Sequence, residues 1–354
     1  MQRSVLHAFL CIIPSLVLSL TGCAKKGSDA PGNGATVFDS SEKASPVAVN
    51  DANHRFYFRL KAGDTYRYKV QITSTADAQN DDHLYKQFPA SEKATSVNTY
   101  YIRQTVKEVT KDSTIDFSIT MDSVSLRLDK DTLHVRFSSN DPATRNDPRF
   151  QSYMSVIGMT FGVKLNKLGD VLEVYNTADY VNKAMKTFPD SLNTPQNRET
   201  MKKQIESTVA EYLGRTMVRF PDRVMAKDSS IVVSREVNAP IWNQISFPMR
   251  LDGKTVMDGF QERSGKVLAS FTTKSTVTPI KDTLQDPAAR ATLGNMKTNV
   301  TENVLVEDAT GMLVHREIVD ERGWEFKLEA LKKPENYFKT RRASSEHTTV
   351  DLLK

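Results

Sequence analysis

Hydrophobic and polar positions divide the chain into three textures. Val5 to Leu20 (VLHAFLCIIPSLVLSL) is a nearly unbroken apolar run. Residues 24–53 are rich in Gly, Ser, Ala, Pro and Asn with little apolar content, the composition of a flexible tether. From His54 onward apolar residues recur at every second position, the period of a strand with one covered face. Phe56, Phe58 and Leu60 alternate with Tyr57, Arg59 and Lys61, Ala62-Gly63-Asp64 turns, and Tyr66, Tyr68, Val70 and Ile72 alternate again. That predicts a two-strand hairpin. Residues 75–96 are polar and without period, which predicts a long loop. Strands follow at Tyr100–Val109 and from Ile115, with a change of phase near Ser123. Asp129-Lys130-Asp131 then turns into Leu133, Val135 and Phe137.

The middle of the chain has helical spacing. Asp147-Pro148 supplies a cap and a first-turn proline, and Phe150, Tyr153, Met154 and Ile157 follow at helical steps. Phe161–Leu165 and Val171–Tyr175 form a hairpin, Asp179–Phe188 a short helix closed by Pro189. Thr194-Pro195 opens a longer helix carrying Met201, Ile205, Val209, Tyr212 and Leu213 to Gly214. Strands return at Ile231–Glu236. Ile245–Leu251 and Lys254–Phe260 flank Asp252-Gly253, the favoured pair of a tight hairpin. Ser264-Gly265 turns into Val267–Val277. Val300–Glu307 meets Met312–Val319 across Asp308–Gly311, and Trp324, Phe326, Leu328 and Ala330 share one face. The pattern predicts an α+β protein, mainly antiparallel sheet, strongly curved or half-barrel, with about three mid-chain helices. The expected organisation is residues 1–22 as a leader, 23–53 as a tether, 54–331 as a β-rich body, and 332–354 as a polar, frayed tail.

Leu20-Thr21-Gly22-Cys23 follows the apolar run directly and resembles the lipobox of bacterial lipoproteins. The run itself is shorter than the roughly 20 residues of a bilayer span and suits a cleaved signal peptide. The resemblance implies a diacylglyceryl group on the thiol of Cys23, cleavage between Gly22 and Cys23, and acylation (palmitate or a similar chain) of the new amino terminus. Only a thiol makes the thioether, and Gly22 leaves room at the scissile bond. Two or three acyl chains, at about 0.8 kcal/mol per buried CH₂, anchor a protein where one would not. The expected location is the cell envelope, and the outer rather than the inner membrane, because Ala24 puts no acidic residue after the cysteine.

Several segments of the body together resemble an uncharacterised family of bacterial envelope lipoproteins. They are Phe56–Tyr68 with its Gly63-Asp64 turn, Met159–Val174 around Leu168-Gly169-Asp170, Phe220-Pro221-Asp222, and the Asp308-Ala309-Thr310-Gly311 hairpin. The chain departs from that pattern after Phe220-Pro221, where Asp228-Ser229-Ser230-Ile231 replace a Gly and a Trp. The resemblance implies a place and a sheet-rich body, with no assigned reaction.

Composition narrows the chemistry. The 354 residues carry 48 Lys+Arg against 43 Asp+Glu, a net +5, which is no footprint for nucleic acid. The mean hydropathy of −0.45 excludes a multi-spanning helical membrane protein. Cys11 and Cys23 are the only cysteines, so the body has no disulfide framework and no cysteine zinc cluster. His54, His83, His134, His315 and His347 have no metal-ligand spacing, and no nucleophile elbow, P-loop or dinucleotide fingerprint is present. Asp81-Asp82-His83 is one acid–histidine cluster in a polar stretch and reads as a solvated loop. Asp112, Asp116, Asp122, Asp129 and Asp131 follow strand alternation rather than a calcium loop. Lys25-Lys26 and Arg341-Arg342 are too small to hold nucleic acid and favour at most anionic headgroups near the tether.

The expected function is therefore a membrane-anchored, non-enzymatic envelope lipoprotein, without catalytic residues, metal or cofactor. Its partners are membrane lipid through acylated Cys23 and either an envelope protein or an apolar, lipid-like ligand held against the sheet. The alternative is a secreted hydrolase with a site assembled from scattered residues. Cys23→Ser is expected to abolish labelling by a palmitate analogue and to leave an unprocessed or unanchored chain. A mature-length species of this variant that still partitions with membranes would exclude the lipoprotein reading.

Overall fold

The computed structural model describes residues 44–47, 54–186, 191, 193–242 and 245–353. Gly22, Cys23, the leader and most of the tether lie outside the described residues. The elements are β1 (Ser45–Pro46), β2 (Thr65–Asp82), β3 (Ser91–Val109), β4 (Ile115–Lys130), β5 (Leu133–Ser138), α1 (Pro142–Arg145), α2 (Gln151–Val156), β6 (Thr160–Leu165), β7 (Val171–Tyr175), α3 (Ala178–Met185), α4 (Pro195–Thr216), β8 (Ser230–Trp242), β9 (Ile245–Arg263), β10 (Lys266–Pro279), β11 (Thr283–Gln285), β12 (Ala289–Glu307), β13 (Leu313–Ala330) and β14 (Lys333–Leu353). The class is α+β with mainly antiparallel sheet, as the alternation predicts.

All the strands join one 14-stranded sheet in the order β1-β9-β10-β12-β13-β14-β2-β3-β4-β6-β7, with β8 on β9, β11 on β12 and β5 on β4. The sheet is open: its outer strands do not pair with one another to close a barrel. Two meanders, β2–β7 and β8–β13, meet at β14. This strand pairs with β13 from Asp351 back to Lys333 and with β2 from Leu353 back to Phe338. The segment expected as a frayed tail is therefore the seam of the sheet. Its middle, Thr340 to Thr348, faces both ways with polar side chains, which hides the strand period in the sequence.

Other expectations change for related reasons. Residues 75–96 are not a long loop: β2 and β3 pair through Ala76↔Ala94 and Gln79↔Ser91, leaving a short connection. Asp252-Gly253 makes no turn, and β9 runs through it. A Cβ on Gly253 would lie 2.9 Å from the Ser275 hydroxyl, so this glycine admits a close cross-strand approach. Phe56–Leu60 is not a hairpin strand. Phe58 donates its N–H to the Lys167 carbonyl (2.9 Å) and Arg59 its N–H to the Thr310 carbonyl (2.9 Å), so the segment runs between two turns and buries Phe56, Phe58 and Leu60. Ser264-Gly265 does turn, with both residues at positive φ. The phase change near Ser123 is a β-bulge, where Tyr101 pairs with Ser123 and Ile102 with Met121.

One face of the sheet is covered by α4. Thr194 accepts the Asn197 N–H (3.2 Å), and Pro195 sits in the first turn. Ile205, Val209 and Leu213 recur at four-residue steps and are buried with Tyr68, Val70, Ile102, Phe117 and Val350 in the larger of two apolar cores. The helix is stopped by a buried cation. Arg316 of β13, 5% exposed, donates to the carbonyls of Gly214, Arg215 (2.5 Å) and Met217 (3.0 Å), and its Nε lies 3.0 Å from Glu302. These carbonyls are among those a helix C-terminus leaves without internal partners, and a guanidinium fits them in charge and donor number. Gln104 of β3 adds a 2.6 Å bond to Thr216.

Arg316→Met leaves Glu302 and the helix end unmatched. It is expected to cost about 3–5 kcal/mol in urea denaturation, with part recovered by adding Glu302→Gln.

Candidate functional site

Cross-strand neighbours share a face, so the registers read out the inner surface row by row. Nearest α4, the row is apolar but for the buried Arg316: Val304, Arg316, Val350, Val70 and Tyr100 lie side by side from β12 to β3. Farther along the same strands the row becomes Val300, Asp320, Glu346, Ser74 and Ser96, and the next becomes Thr298, Arg322, Ser344, Ala76 and Ala94. Asp320, Glu346, Ser74, Ser96 and Ser344 are all half-buried. Beyond this belt the inner face turns apolar again, with Leu293 beside Phe326 and Leu328 beside Phe338.

That distal stretch forms a second, separate core of Trp242, Phe247, Met249, Ala291, Leu293, Phe326 and Phe338. Its packing shows how the sheet is bent. The Trp242 ring on β8 lies 4.4 Å from Phe338 on β14 and 5.1 Å from Phe88 after β2. In pairing order β8 and β14 are separated by β9, β10, β12 and β13. At about 4.8 Å per strand a flat sheet would hold them more than ~20 Å apart, so the sheet is rolled across its width.

The belt's charges are mostly matched. Arg322 Nε lies 2.9 and 3.0 Å from the Asp320 oxygens, Lys130 lies 2.9 Å from Glu92, and Arg215 at the end of α4 lies 3.8 Å from Glu346. Arg342 differs. It stands directly opposite Trp324, with its guanidinium carbon 5.8 Å from that ring and 4.8 Å from the Trp242 ring. It has no carboxylate at ion-pairing distance among the described residues. Burial pushes its pKa down, and the more distant Glu92 opposes that. An arginine stays charged through such a shift. Trp242 Nε1, Trp324 Nε1, Arg342 Nε, Thr340 Oγ1, Thr298 Oγ1 and Asn80 Oδ1 are buried without a hydrogen-bond partner among the described residues. Buried polar atoms are ordinarily paired; these are not the only such side-chain atoms among the described residues, others, Asn98 Oδ1 and Gln104 Oε1 among them, lying elsewhere.

The sequence candidates do not gather there. The five histidines of the body are held in separate pairs: His54 with Asp308 (2.8 Å), His83 with Asp81 (2.9 Å), His134 with Asp129 (2.9 Å), His315 with Asp351 (2.7 Å) and His347 with Glu317 (2.9 Å). Among the described residues no group of three or more His, Cys, Asp or Glu is placed to hold a metal ion. Of the five aspartates at strand spacing, Asp116 accepts from the Tyr175 hydroxyl (2.6 Å), Asp122 pairs with Arg103 (2.9 Å) and Asp129 with Arg127 (2.6 Å). Asp81 and Asp82 part company: Asp81 accepts from the Tyr337 hydroxyl (2.7 Å), while Asp82 accepts the N–H groups of Tyr85 (2.6 Å), Gln87 (2.9 Å) and Phe88 (3.0 Å). That clasp presents Phe88 to the distal core. The pair Arg341-Arg342 is divided by the strand pleat, Arg341 exposed and Arg342 turned inward. Trp324 does lie on the inner face, as its alternating strand predicts. Trp242 and Arg342 were not legible as a pair, because four strands of pairing order separate theirs; a strand reading of 333–353 would have turned Arg342 inward.

The model of a family of unknown function (DUF6263) matches residues 112–313. No curated protein matches the chain. Among solved structures, lipovitellin in a study of its lipid–protein interactions is similar over 83% of this chain at 10% identity and a TM-score of 0.40. The chain spans about a quarter of lipovitellin's length, 25%. Two Pseudomonas aeruginosa proteins, OpdQ and OccK11 (OpdR), are each 9% identical. They match over 82% and 84% of this chain and 99% and 100% of their own, with TM-scores of 0.16 and 0.17. Scores that low do not establish a shared fold.

The Asp82 clasp gives a pH dependence. Burial pushes its carboxyl up, and the backbone N–H groups of Gln87, Phe88, Tyr85 and Lys86 overcome this and bring it from 3.8 to about 2. A depressed carboxylate stabilises the fold above the unfolded value and stops doing so as pH falls through the folded one. Asp82→Asn is therefore expected to lower the thermal midpoint at pH 7, with the gap to wild type closing as pH falls from about 4 to 2.

Proposed function

The chain belongs to the family of unknown function (DUF6263), and we propose that it is a lipid-anchored envelope protein whose body binds a ligand without turning it over. The observation that carries the binding reading is the interruption of the interior. The inner face builds an apolar core toward each end, yet between the two cores Asp320, Glu346, Ser74, Ser96 and Ser344 remain half-buried. A fold that needed only stability would carry its covering across this stretch, since half-buried polar rows contribute little to a core.

The anchoring reading is supported by the lipobox-like Leu20-Thr21-Gly22-Cys23 and by the tether behind it, which lets the body stand away from the bilayer. Attachment at Cys23 after cleavage at Gly22, and the outer membrane as its place, belong to this proposal. A lipid-like or other apolar-bearing ligand suits the site better than a wholly polar one. Val277, Met296, Trp324 and Leu328 pack only partly buried against the distal core.

Native mass spectrometry of the full chain, extracted from the envelope of a bacterial host, is expected to show two additions. One is the covalent mass of the acyl groups on Cys23; the other is a non-covalent adduct released on denaturation. A chain that carries no non-covalent adduct, and gains none when incubated with host lipid extract, would overturn the binding reading.

A further inference from the structure

The belt and the distal core meet at Arg342, and the chemistry there selects a ligand. The groups around it are mainly donors. A guanidinium and an indole N–H donate and never accept, and Arg342, Trp242 and Trp324 each keep a buried N–H without a partner among the described residues. The Thr340 hydroxyl, two residues along the same face, is likewise unmatched. The neighbouring belt cations already have carboxylates at ion-pairing distance, Arg322 with Asp320 and Lys130 with Glu92, whereas Arg342 has the faces of two tryptophans and feels Glu92, already paired to Lys130, only from farther off. Aromatic faces hold a guanidinium in place without supplying a counter-charge. On one side of Arg342 and its cross-strand partner Trp324 lies the half-buried polar belt; on the other lies the distal core with the partly buried Leu328.

We propose that Arg342, held between Trp242 and Trp324, is the headgroup site for an amphipathic anion, a carboxylate or phosphate ester on a single acyl chain, with the chain lying along the apolar edge of the distal core. This rests on the binding reading above and names its ligand class. The charge supplies selectivity: a carboxylate or phosphate accepts from the guanidinium, an alcohol of the same chain length lacks the charge, and an amine is repelled. Forked donor geometry favours Arg over Lys for such oxyanions.

Trp242 and Trp324 are the only tryptophans in the chain, so emission reports on this site and nowhere else. The full lipid-anchored chain is reconstituted into phosphatidylcholine vesicles and titrated with octanoate, octyl phosphate, octanol, octylammonium, acetate and inorganic phosphate. Octanoate and octyl phosphate are expected to change the emission saturably, at least tenfold more tightly than octanol or octylammonium. Acetate and inorganic phosphate are expected to be weaker still. Arg342→Gln is expected to erase the preference of octanoate over octanol, and Arg342→Lys to restore part of it. Octanol binding as tightly as octanoate would overturn the headgroup assignment while leaving an apolar ligand site standing. Acetate or phosphate binding as tightly as the octyl compounds would replace the proposal with a plain oxyanion site. Silence from every ligand, in a chain that still yields a non-covalent adduct by mass spectrometry, would place the ligand elsewhere and overturn this site alone. Should Arg342→Gln fail to fold, the octanoate–octanol comparison in the wild-type chain decides the question.

Discussion

The structure depends on one mismatch of length. Its principal strands run 16 to 21 residues, as β4 and β14 do, and so extend about 55–70 Å. The helix that covers them, α4, has 22 residues and spans only about 33 Å. One helix cannot shield such a sheet from end to end. Arg316 fixes where the shielding stops: it draws the last carbonyls of α4 onto β13 and keeps its charge matched by Glu302. Everything farther along the inner face must find another cover.

The distal half finds it in the sheet itself. Rolling brings Trp242 of β8 over Phe326 and Phe338, and Phe88 arrives from the β2–β3 connection on the Asp82 clasp. The two apolar cores stay separate. Between them lies the belt, rich in Ser, Asp, Glu, Thr and Arg, residues that tolerate partial water exposure. The site is thus a consequence of how two different solutions to burial abut, and Arg342 with its tryptophans stands on the boundary.

The same mismatch accounts for the role of β14. The β2–β7 and β8–β13 meanders each bring long strands with one apolar face, and each would end in a long open edge. An unpaired edge of such length is a template for aggregation. The final strand pairs along nearly its whole length with both β13 and β2, and makes the two meanders one sheet.

Local periodicity and short motifs carried part of this fold. They specified antiparallel strands with one apolar face, the capped helix from Thr194-Pro195, the Ser264-Gly265 and Asp308–Gly311 turns, and the bulge at Ser123, because each is written in residues that are neighbours in the chain. The sequence also carries the lipobox-like signature at Cys23. Tertiary structure alone decided what depends on partners far apart. The strand β14 has a polar middle and becomes legible only between β13 and β2. Asp252-Gly253 has turn chemistry yet continues a strand, because Ser275 and Val233 hold it on both sides. Phe56–Leu60 has strand alternation yet serves as a plug between two turns. Trp242, Trp324 and Arg342 come from three strands, one of them the remote edge strand β8, and the roll that unites them leaves no local trace in the sequence. Periodicity records which face of a strand is covered; what covers it, and where that covering ends, is set by packing between elements.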